Sequence, residues 1–376
     1  MSETIVVLGY ELHLTTNLSI TDDPSAGVSG LTSALLLSRD KRNTITVVAK
    51  HMPGDLDGEY ASPFAGANVM PMATSDESQW ERETWAELKR LCQEAPAAGI
   101  HFQKCQVHSR SKDISKDSDV PKGPFDTDPW FKDMFDDFRA LPQDKVLPGC
   151  DAASEFTSVC INTAIYLPWL VGQLLENDVR LKRGVVSDIR EAKGLSHTGR
   201  PATLIINATG LGSYKLGGVK DTQMYPARGQ VVVVRNEVDS MLFVSGTEDG
   251  ANEALYAMNR AAGGGAILGG TFEAGTWDTQ PDPSTALRIM SRIVKARPEI
   301  AGGKGVAGLS VVRHAAGLRP YRHGGARVEA EKMDDTTTVV HNYGHGGWGY
   351  QGSYGCAKSV VEIVRKVREG RTRAKL

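Results

Sequence analysis

The chain has 376 residues, of which 40% are hydrophobic and 23% charged, and its formal net charge is -2. This length exceeds what one hydrophobic core usually organises, so two domains are predicted. The near-neutral charge offers no basic field for nucleic acid or an anionic membrane, and no apolar run approaches the roughly 18 residues of a transmembrane helix. The start, MSETIVVLG, lacks a basic region and a cleavage site, which predicts an intracellular protein. The five cysteines contain no C-x-x-C pair, so neither a disulfide framework nor a metal site is expected.

The first predicted elements are a strand, a glycine turn, a helix and a second strand. IVVLG (5–9) has the pattern of a buried strand, AGVSGLTSALLLSR (26–39) that of a helix entered through glycines, and TITVVA (44–49) that of another strand. Such a unit binds a dinucleotide when its turn has the spacing G-x-G-x-x-G. Joining Gly9 directly to Ala26 would give GAGVSG, so residues 10–25 form a 16-residue insertion in that turn.

The remaining patterns alternate between helix and strand, as in α/β proteins. In chain order they predict a helix at 79–95, a polar surface loop at 106–128, a helix leading into a strand at 166–186, a buried strand with a glycine turn at 202–213, a β-rich stretch at 224–272, an amphipathic helix at 284–300, and a strand, glycine turn and helix at 336–370. We therefore predict an α/β fold of two interleaved domains. A Rossmann-like domain with a parallel sheet spans 1–73, 154–215 and 317–376. A second domain with a mixed, largely antiparallel sheet spans 74–153 and 216–316.

A cluster of glycines separates the last predicted strand from the last helix. Five glycines follow or adjoin His341, Asn342, Tyr343 and His345, at positions 344, 346, 347, 349 and 352. A loop of this composition lets backbone N–H groups approach a ligand closely, and the start of the following helix favours an anionic group. The loop is therefore a candidate binding segment.

The run VVHNYGHGGWGYQGSYGCA (339–357) closely resembles the signature of the D-amino-acid oxidases, which are FAD-dependent. Other landmarks of that family follow in the same order, namely YASPFAGANVMP, YLPWLVGQ, INATGLGS, YPARGQ, ILGGTF and GLRPYR. The resemblance covers nearly the whole chain and is greatest to fungal members. It implies that the Rossmann-like domain binds FAD and that the second domain forms the substrate or cap domain. A nicotinamide dehydrogenase is a more distant alternative, because its cofactor half is usually one contiguous block.

The resemblance also implies residues that contact the substrate. The family's arginine for the substrate carboxylate falls on Arg319, whose guanidinium fork matches a carboxylate. The partner tyrosine falls on Tyr256, and Gly347 falls where family members supply a carbonyl or a serine to the amino group. Gln351 lies near the flavin or the substrate.

The residues that the resemblance assigns to FAD come from all three segments of the first domain and their borders. They are Gly9, Ala26, Gly27, Val28, Ser29, Gly30, Lys50, His51, Ser62, Gly66, Ala67, Asn68, Val186, Ala208, Thr209, Gly210, Arg319, Gly346, Gly347, Trp348, Gly349, Tyr350 and Gln351. After the second strand the positions 49–51 read Ala-Lys-His rather than the acid that many dinucleotide sites present to the ribose.

The implied reaction is oxidative deamination of a D-amino acid by hydride transfer from Cα to flavin N5. The products are a 2-oxo acid, ammonia and, through O2, hydrogen peroxide, and no general base is needed. D-aspartate oxidases tend to carry an arginine after GGT, where this chain has Phe272, so neutral D-amino acids are the expected substrates. The family pattern Y-I-I-P-R is here YAMNR (256–260), which leaves the shape of the pocket open.

Two features at the ends of the chain qualify this picture. The last residues, Ala374-Lys375-Leu376, are similar to the S-K-L address, and a peroxide-forming reaction favours that interpretation, so we predict a peroxisomal matrix protein with the import receptor as a partner. The oligomeric state is left open, with a homodimer as one option.

Near the start, residues 10–25 are either a retained intron or a surface loop, and the loop itself costs on the order of 2 kcal/mol. Because the insertion springs from the turn that holds the pyrophosphate, we predict lower FAD affinity, and a catalytically silent protein is the alternative.

Overall fold

The computed structural model describes residues 2–9, 26–73, 78–114, 123–126 and 128–373. These residues form two compact units. Unit 1 consists of 1–63, 167–227 and 318–376, and unit 2 consists of 64–166 and 228–317, in each case over the described residues. The chain therefore passes between units at 63/64, 166/167, 227/228 and 317/318, whereas the sequence places the domain borders at 73/74, 153/154, 215/216 and 316/317. The insertion at 10–25 and the C-terminal tripeptide 374–376 lie outside the described residues.

The elements of the described residues are numbered here in chain order. The strands are β1 (Glu3–Leu8), β2 (Asn43–Ala49), β3 (Ile100–Ser109), β4 (Arg139–Ala140), β5 (Ala152–Ile161), β6 (Arg180–Arg183), β7 (Leu204–Asn207), β8 (Met224–Val234), β9 (Met241–Val244), β10 (Glu253–Asn259), β11 (Ala266–Thr271), β12 (Glu273–Ala274), β13 (Val311–Arg322), β14 (Arg327–Lys332) and β15 (Thr338–Tyr343). The helices are α1 (Val28–Ser38), α2 (Ser78–Glu94), α3 (Thr163–Glu176), α4 (Pro283–Ala296) and α5 (Ser353–Arg373).

Unit 1 is built on a sheet whose strands run in the order β14-β15-β7-β1-β2-β6. β1 pairs in parallel with β2 on one side and β7 on the other, and β15 and β6 extend the parallel part, while β14 is antiparallel to β15. β1 is buried along its whole length, as expected for a parallel sheet covered on both faces. The carboxyl ends of β1, β2, β7 and β15 therefore meet at one edge, where such sheets bind their ligands.

The second sheet has the order β12-β8-β11-β10-β9-β3-β5-β4, with β13 paired to β8. Most of its pairs are antiparallel, including β10 with β11 and β3 with β5, whereas β3 and β9 are parallel. α4 packs its apolar face, with Ile289 and Ile293 fully buried, into the hydrophobic cluster of unit 2. The prediction of an α/β fold with one parallel and one largely antiparallel sheet is thus confirmed.

One predicted loop is partly wrong. The sequence predicts loop from residue 106, but β3 continues to Ser109. β5 pairs with β3 residue by residue, from Ile100 opposite Ile161 to Ser109 opposite Ala152, so partners supplied by a distant strand override the polar local pattern. Among the helices that the structure describes, none is both long and apolar enough to cross a membrane.

Candidate active site

A cleft at the carboxyl edge of the parallel sheet in unit 1 gathers many of the predicted cofactor residues. Its lining comes from five segments, which are residues 27–29, 59–62, 208–211, 318 and 320, and 342–345. Seven of the residues that the sequence assigns to FAD are therefore brought together here, namely Gly27, Val28, Ser29, Ser62, Ala208, Thr209 and Gly210.

The start of α1 faces this cleft with its helix end open to a ligand. Gly27 precedes the helix in an extended conformation and makes no side-chain capping hydrogen bond, and the first turn contains no acidic residue. The Val28 N–H donates to Ser62 Oγ at 3.1 Å. Backbone N–H groups and the positive end of the helix dipole favour an anion at such a position, so the cleft suits a pyrophosphate.

Both flanks of the insertion are attached to the end of β2. The Gly9 N–H donates to the Val48 carbonyl at 3.0 Å, and the Ala26 N–H donates to the His51 carbonyl at 2.7 Å. The Ala26 carbonyl accepts the Tyr60 hydroxyl at 2.7 Å. The segments that precede and follow residues 10–25 are thus held by partners only three residues apart in sequence.

The third glycine of the dinucleotide motif permits close packing. A Cβ placed on Gly30 would lie 3.3 Å from the Ala208 Cβ and 3.7 Å from Val7 Cγ1. A Cβ at this position would press on the turn after β7, whereas its distance to Val7 of β1 is an ordinary van der Waals contact. Gly30 therefore does not line the cleft but sets the distance at which the helix stands behind it.

A closed ring of hydrogen bonds links α1 to the glycine-rich loop. Ser29 Oγ contacts His345 Nδ1 at 3.3 Å, and His345 Nε2 contacts Asn342 Oδ1 at 3.1 Å. Asn342 Nδ2 donates to Ser33 Oγ at 2.9 Å, and Ser33 Oγ donates to the Ser29 carbonyl at 2.8 Å. We call these four residues the serine–histidine ring.

The protonation state of His345 follows from its surroundings. Burial lowers the pKa of His345 to about 4, so the imidazole is neutral at pH 7. Because Asn342 Oδ1 can only accept, His345 Nε2 carries the proton and Nδ1 accepts from the Ser29 hydroxyl. Each of the four bonds then has one donor and one acceptor, which fixes the loop against α1 without any charged group.

A second network shapes the turn after β7. Asn207 Oδ1 accepts from the Thr209 N–H at 3.2 Å and from Thr209 Oγ1 at 2.7 Å, and Thr209 Oγ1 lies 2.8 Å from Ser213 Oγ. Asn207 Nδ2 lies 3.1 Å from His341 Nδ1. Burial and the nearby Arg327 lower the pKa of His341 to about 4 despite a hydrogen bond with a glutamate. Thr209 is thereby held at the wall of the cleft.

The glycine-rich loop lies directly against the end of β13. Gly346 has a φ of 54°, and a Cβ there would lie 2.5 Å from Tyr321 Cε1. A Cβ on Gly347 would lie 3.1 Å from the Tyr321 hydroxyl and 3.6 Å from Arg319 Cδ. The structure therefore brings Arg319 and Gly347 together within unit 1, as the sequence predicts for two substrate-binding residues.

Tyr321 is a further member of this group. Burial raises the pKa of Tyr321, while the positive charge of Arg319 and a hydrogen bond with the backbone of Gly347 act in the opposite direction. Leu318 and Pro320 line the cleft, and because side chains alternate along a strand, Arg319 and Tyr321 project to the other side of β13.

Other predicted residues belong to unit 2. Tyr256 is on β10, stacked with Phe243 at a centroid distance of 6.1 Å. Gly66, Ala67 and Asn68 also belong to unit 2, where Ala67 exchanges backbone hydrogen bonds with Ile161 at 3.1 and 2.8 Å. Their proposed contacts with FAD or substrate stay predictions.

The remaining predicted residues are not among those that line the cleft. Lys50 and His51 follow β2, and burial lowers the pKa of His51. Val186 packs in the hydrophobic cluster with Val6 and Ile205, so its side chain is part of the core. In the loop before α5, the Tyr350 hydroxyl donates to the Ser62 carbonyl at 2.9 Å.

The last of the predicted positions lie in the same loop. Trp348 stands edge-on to His345 at 5.1 Å, Gln351 is buried, and a Cβ on Gly349 would lie 3.9 Å from Val28 Cγ1. The backbone of the loop thus passes close to the start of α1.

Several cleft residues do not appear among the sequence-based assignments. They are Glu59, Tyr60, Ala61, Leu211, Leu318, Pro320 and residues 342–345. Most of them lie within or next to the family landmarks YASPF, GLRPYR and HNYGH, so the sequence contained the information needed to assign them. Tyr321 was missed in the same way.

The donor set of the cleft fits a dinucleotide such as FAD. The N-cap of α1 makes no side-chain capping bond and its first turn has no acidic side chain, Gly30 permits close packing against the turn after β7, and residues 342–345 of the glycine-rich loop line the cleft. Among the residues that the structure describes, no group of three or more His, Cys, Asp or Glu side chains is arranged to hold a metal ion.

Comparison with known proteins agrees with this geometry. Residues 26–363 match the family model described as FAD dependent oxidoreductase. A D-amino-acid oxidase of Fusarium vanettenii is 61% identical over 98% of this chain and 98% of its own length, and one of Schizosaccharomyces pombe is 34% identical over 91% and 95%. The glycine oxidase structure from Geobacillus kaustophilus, at 16% identity, has the same fold with a TM-score of 0.69 over 97% of this chain and 94% of its own. The chain belongs to the D-amino-acid oxidase family of FAD-dependent oxidoreductases.

Proposed function

We propose that this protein oxidises neutral D-amino acids to 2-oxo acids and ammonia with formation of hydrogen peroxide. The observation that carries the proposal is the 61% identity to a fungal D-amino-acid oxidase over 98% of both chains. The sequence-based alternative of a catalytically silent protein finds no support in these similarities.

The residues of unit 1 hold the cofactor in this proposal. Backbone N–H groups of the first turn of α1, other than that of Val28, which donates to Ser62, bind the pyrophosphate, and the serine–histidine ring holds the glycine-rich loop against α1. FAD, when bound, supplies the hydride acceptor and the route by which O2 is reduced to hydrogen peroxide. The protein contributes orientation and the exclusion of water, which require rigid backbone segments.

Arg319 binds the substrate carboxylate. Its side chain lies close to Gly347, which is also close to the Tyr321 hydroxyl. A guanidinium held in this way can bind a carboxylate through two parallel hydrogen bonds, which fixes the direction of the Cα–H bond. The Gly347 carbonyl then accepts a hydrogen bond from the substrate amino group.

Tyr256 is the second carboxylate ligand in the proposal. Its phenol hydroxyl donates to the substrate carboxylate in this proposal. No side chain is required as a general base, because the substrate reacts with a neutral amine. The preference for neutral side chains rests on Phe272, an apolar residue directly after β11 that cannot pair with a second carboxylate.

The chain acts in the peroxisomal matrix in this proposal, because hydrogen peroxide is a product and the last three residues are similar to an import address. A fluorescent protein fused to the N-terminus of the full chain, with and without Ala374–Leu376, tests this in fungal cells. Punctate fluorescence that requires the tripeptide supports the proposal, and diffuse fluorescence of both fusions contradicts it.

The catalytic proposal is tested by visible spectroscopy of the purified full chain incubated with FAD. D-alanine added without oxygen should bleach the protein-bound flavin, and readmitted air should restore the colour and produce peroxide. L-alanine is the matched control, since Arg319 and Tyr256 would orient its Cα–H bond away from the acceptor. A bound flavin that D-alanine and other neutral D-amino acids leave oxidised would refute the proposal.

A further inference from the structure

Tyr256 stands in a cross-strand row of unit 2 that lacks one side chain. Phe243 on β9 is the register partner of Tyr256 on β10, which is opposite Gly269 on β11, which in turn is opposite Val231 on β8. Residues in register share a face of the sheet, so Gly269 leaves a gap between Tyr256 and Val231. Phe243 closes the other side, stacked at 20° to the tyrosine ring.

The tyrosine ring fills the gap that the glycines leave. A Cβ on Gly269 would lie 1.9 Å from Tyr256 Cζ and 2.1 Å from Cε2. A Cβ on Gly270 would lie 2.8 Å from the Tyr256 hydroxyl. The phenol of a residue on β10 therefore crosses β11, with its ring over Gly269 and its hydroxyl over Gly270.

The strand beyond the hydroxyl is held firmly. A Cβ on Gly270 would also lie 2.6 Å from the Gln230 carbonyl oxygen. Gln230 is fully buried, its N–H donates to Thr271 Oγ1 at 3.0 Å, and its side chain accepts from Arg228 at 2.8 Å and donates to the Asp282 carbonyl at 2.6 Å. The backbone next to the hydroxyl thus has little freedom to move aside for a new side chain.

Two successive glycines weaken the interior of a strand, because they pack no side chain and lose more conformational freedom on folding. Neither Gly269 nor Gly270 has the left-handed φ that would require glycine for the backbone alone. What they do provide is the space under the Tyr256 ring. β11 therefore has no side chain to pack at the two positions where the Tyr256 phenol crosses it.

We propose that Gly269 and Gly270 are positioning residues that place the Tyr256 hydroxyl for the substrate carboxylate. This role rests on the proposed function, since it makes the two glycines determinants of carboxylate binding. An alanine at 269 displaces the ring, and an alanine at 270 displaces the hydroxyl. Both changes act through Tyr256 rather than by contact with the substrate.

The experiment compares Gly269→Ala, Gly270→Ala and the control Gly123→Ala, each alone and combined with Tyr256→Ala, in the FAD-loaded full chain. Gly123 belongs to the same unit, has no left-handed φ, and a Cβ there meets nothing within 4 Å. With D-alanine as substrate, we expect Gly269→Ala to raise KM at least about fivefold with a smaller change in kcat, and Gly123→Ala to leave both within about twofold.

The double variants separate positioning from a general structural effect. If the glycines act through the phenol, Gly269→Ala changes KM by less than about twofold once Tyr256 is alanine. An equal rise of KM in both backgrounds, or no rise in the parent, overturns the proposal. Melting temperature gives a second readout, because Gly269→Ala should lower it by about 2 °C or more in the tyrosine chain and much less beside Tyr256→Ala.

The melting readout also keeps the proposal testable without catalysis. If Gly269→Ala folds poorly and Tyr256→Ala restores folding, the overlap of Cβ and ring is supported; poor folding in both backgrounds overturns it. If the parent chain oxidises no D-amino acid, the proposed function fails. The melting temperatures then still decide whether the two glycines position the tyrosine.

Discussion

Replacing His345 by alanine opens the serine–histidine ring and should weaken both unit 1 and its hold on FAD. The variant loses hydrogen bonds to Ser29 and Asn342, each worth about 1 kcal/mol net. It also leaves the Asn342 side-chain oxygen, on a residue that is 0% exposed, without its donor, which costs about 1–3 kcal/mol. The cost at Asn342 already includes its lost bond, so only the bond to Ser29 is added to it. We therefore expect the free energy of unfolding to fall by about 2–4 kcal/mol.

The affinity for FAD should fall by about tenfold or more, because the ring opens next to the pyrophosphate site. A tenfold change in affinity corresponds to about 1.4 kcal/mol, which is less than the expected loss of stability. Urea unfolding of the apoprotein and quenching of flavin fluorescence measure the two quantities. Ser29→Ala, which removes one hydrogen bond of the ring, should lower the free energy of unfolding by about 1 kcal/mol. His314→Ala is the matched control, since His314 is exposed. A stability loss below about 1 kcal/mol together with unchanged FAD affinity would refute the reasoning.

The same variant should change how stability depends on pH. The pKa of His345 is lowered from 6.5 to about 4 by burial, so the unfolded chain binds this proton more readily than the folded chain. The contribution of neutral His345 is therefore complete above pH 6.5 and is lost as the pH falls towards 4, by up to about 3 kcal/mol. Between these values His345→Ala should lose stability less steeply than the parent chain. An identical pH slope would mean that His345 is not the titrating group.

Three further predictions address the substrate, the C-terminal helix and the insertion. Arg319→Lys should raise KM for D-alanine by about a hundredfold in steady-state assays, because an ammonium cannot bind the carboxylate bidentately; a change below about threefold contradicts that role. Glu3→Gln should lower the free energy of unfolding by about 1–3 kcal/mol, because Glu3 is buried and faces Arg371 of α5 at 3.3 Å and Arg368 at 3.6 Å; an unchanged urea midpoint contradicts it. Deleting residues 10–25 should tighten FAD binding, since both flanks are attached to the end of β2; equal or weaker binding by the shortened chain contradicts the prediction.

The local sequence was sufficient to predict the family and several of the elements. The apolar run of β1, the helix pattern of α1 and the glycines between strand and helix are short-range signals, because strand and helix periods and turn chemistry depend on neighbouring residues. The glycine-rich run at 339–357 and the GLRP motif pointed to the same family as the comparisons. Arg319 and Gly347 could therefore be assigned together before their proximity was known.

Only the tertiary structure decided which side chains meet. Ser29 and His345 are 316 residues apart in sequence, and no local period connects them. Gly347 approaches Arg319 and Tyr321 because the loop after β15 folds back on β13, and Val186 packs with Val6 and Ile205 of neighbouring strands. The gap beneath Tyr256 likewise exists because β10 and β11 pair in one register, in which Gly269 is opposite the tyrosine. Register and long-range hydrogen bonds arise from the packing of whole elements, and for that reason a linear pattern predicts the strands and helices but not the contacts that place Tyr256 and His345.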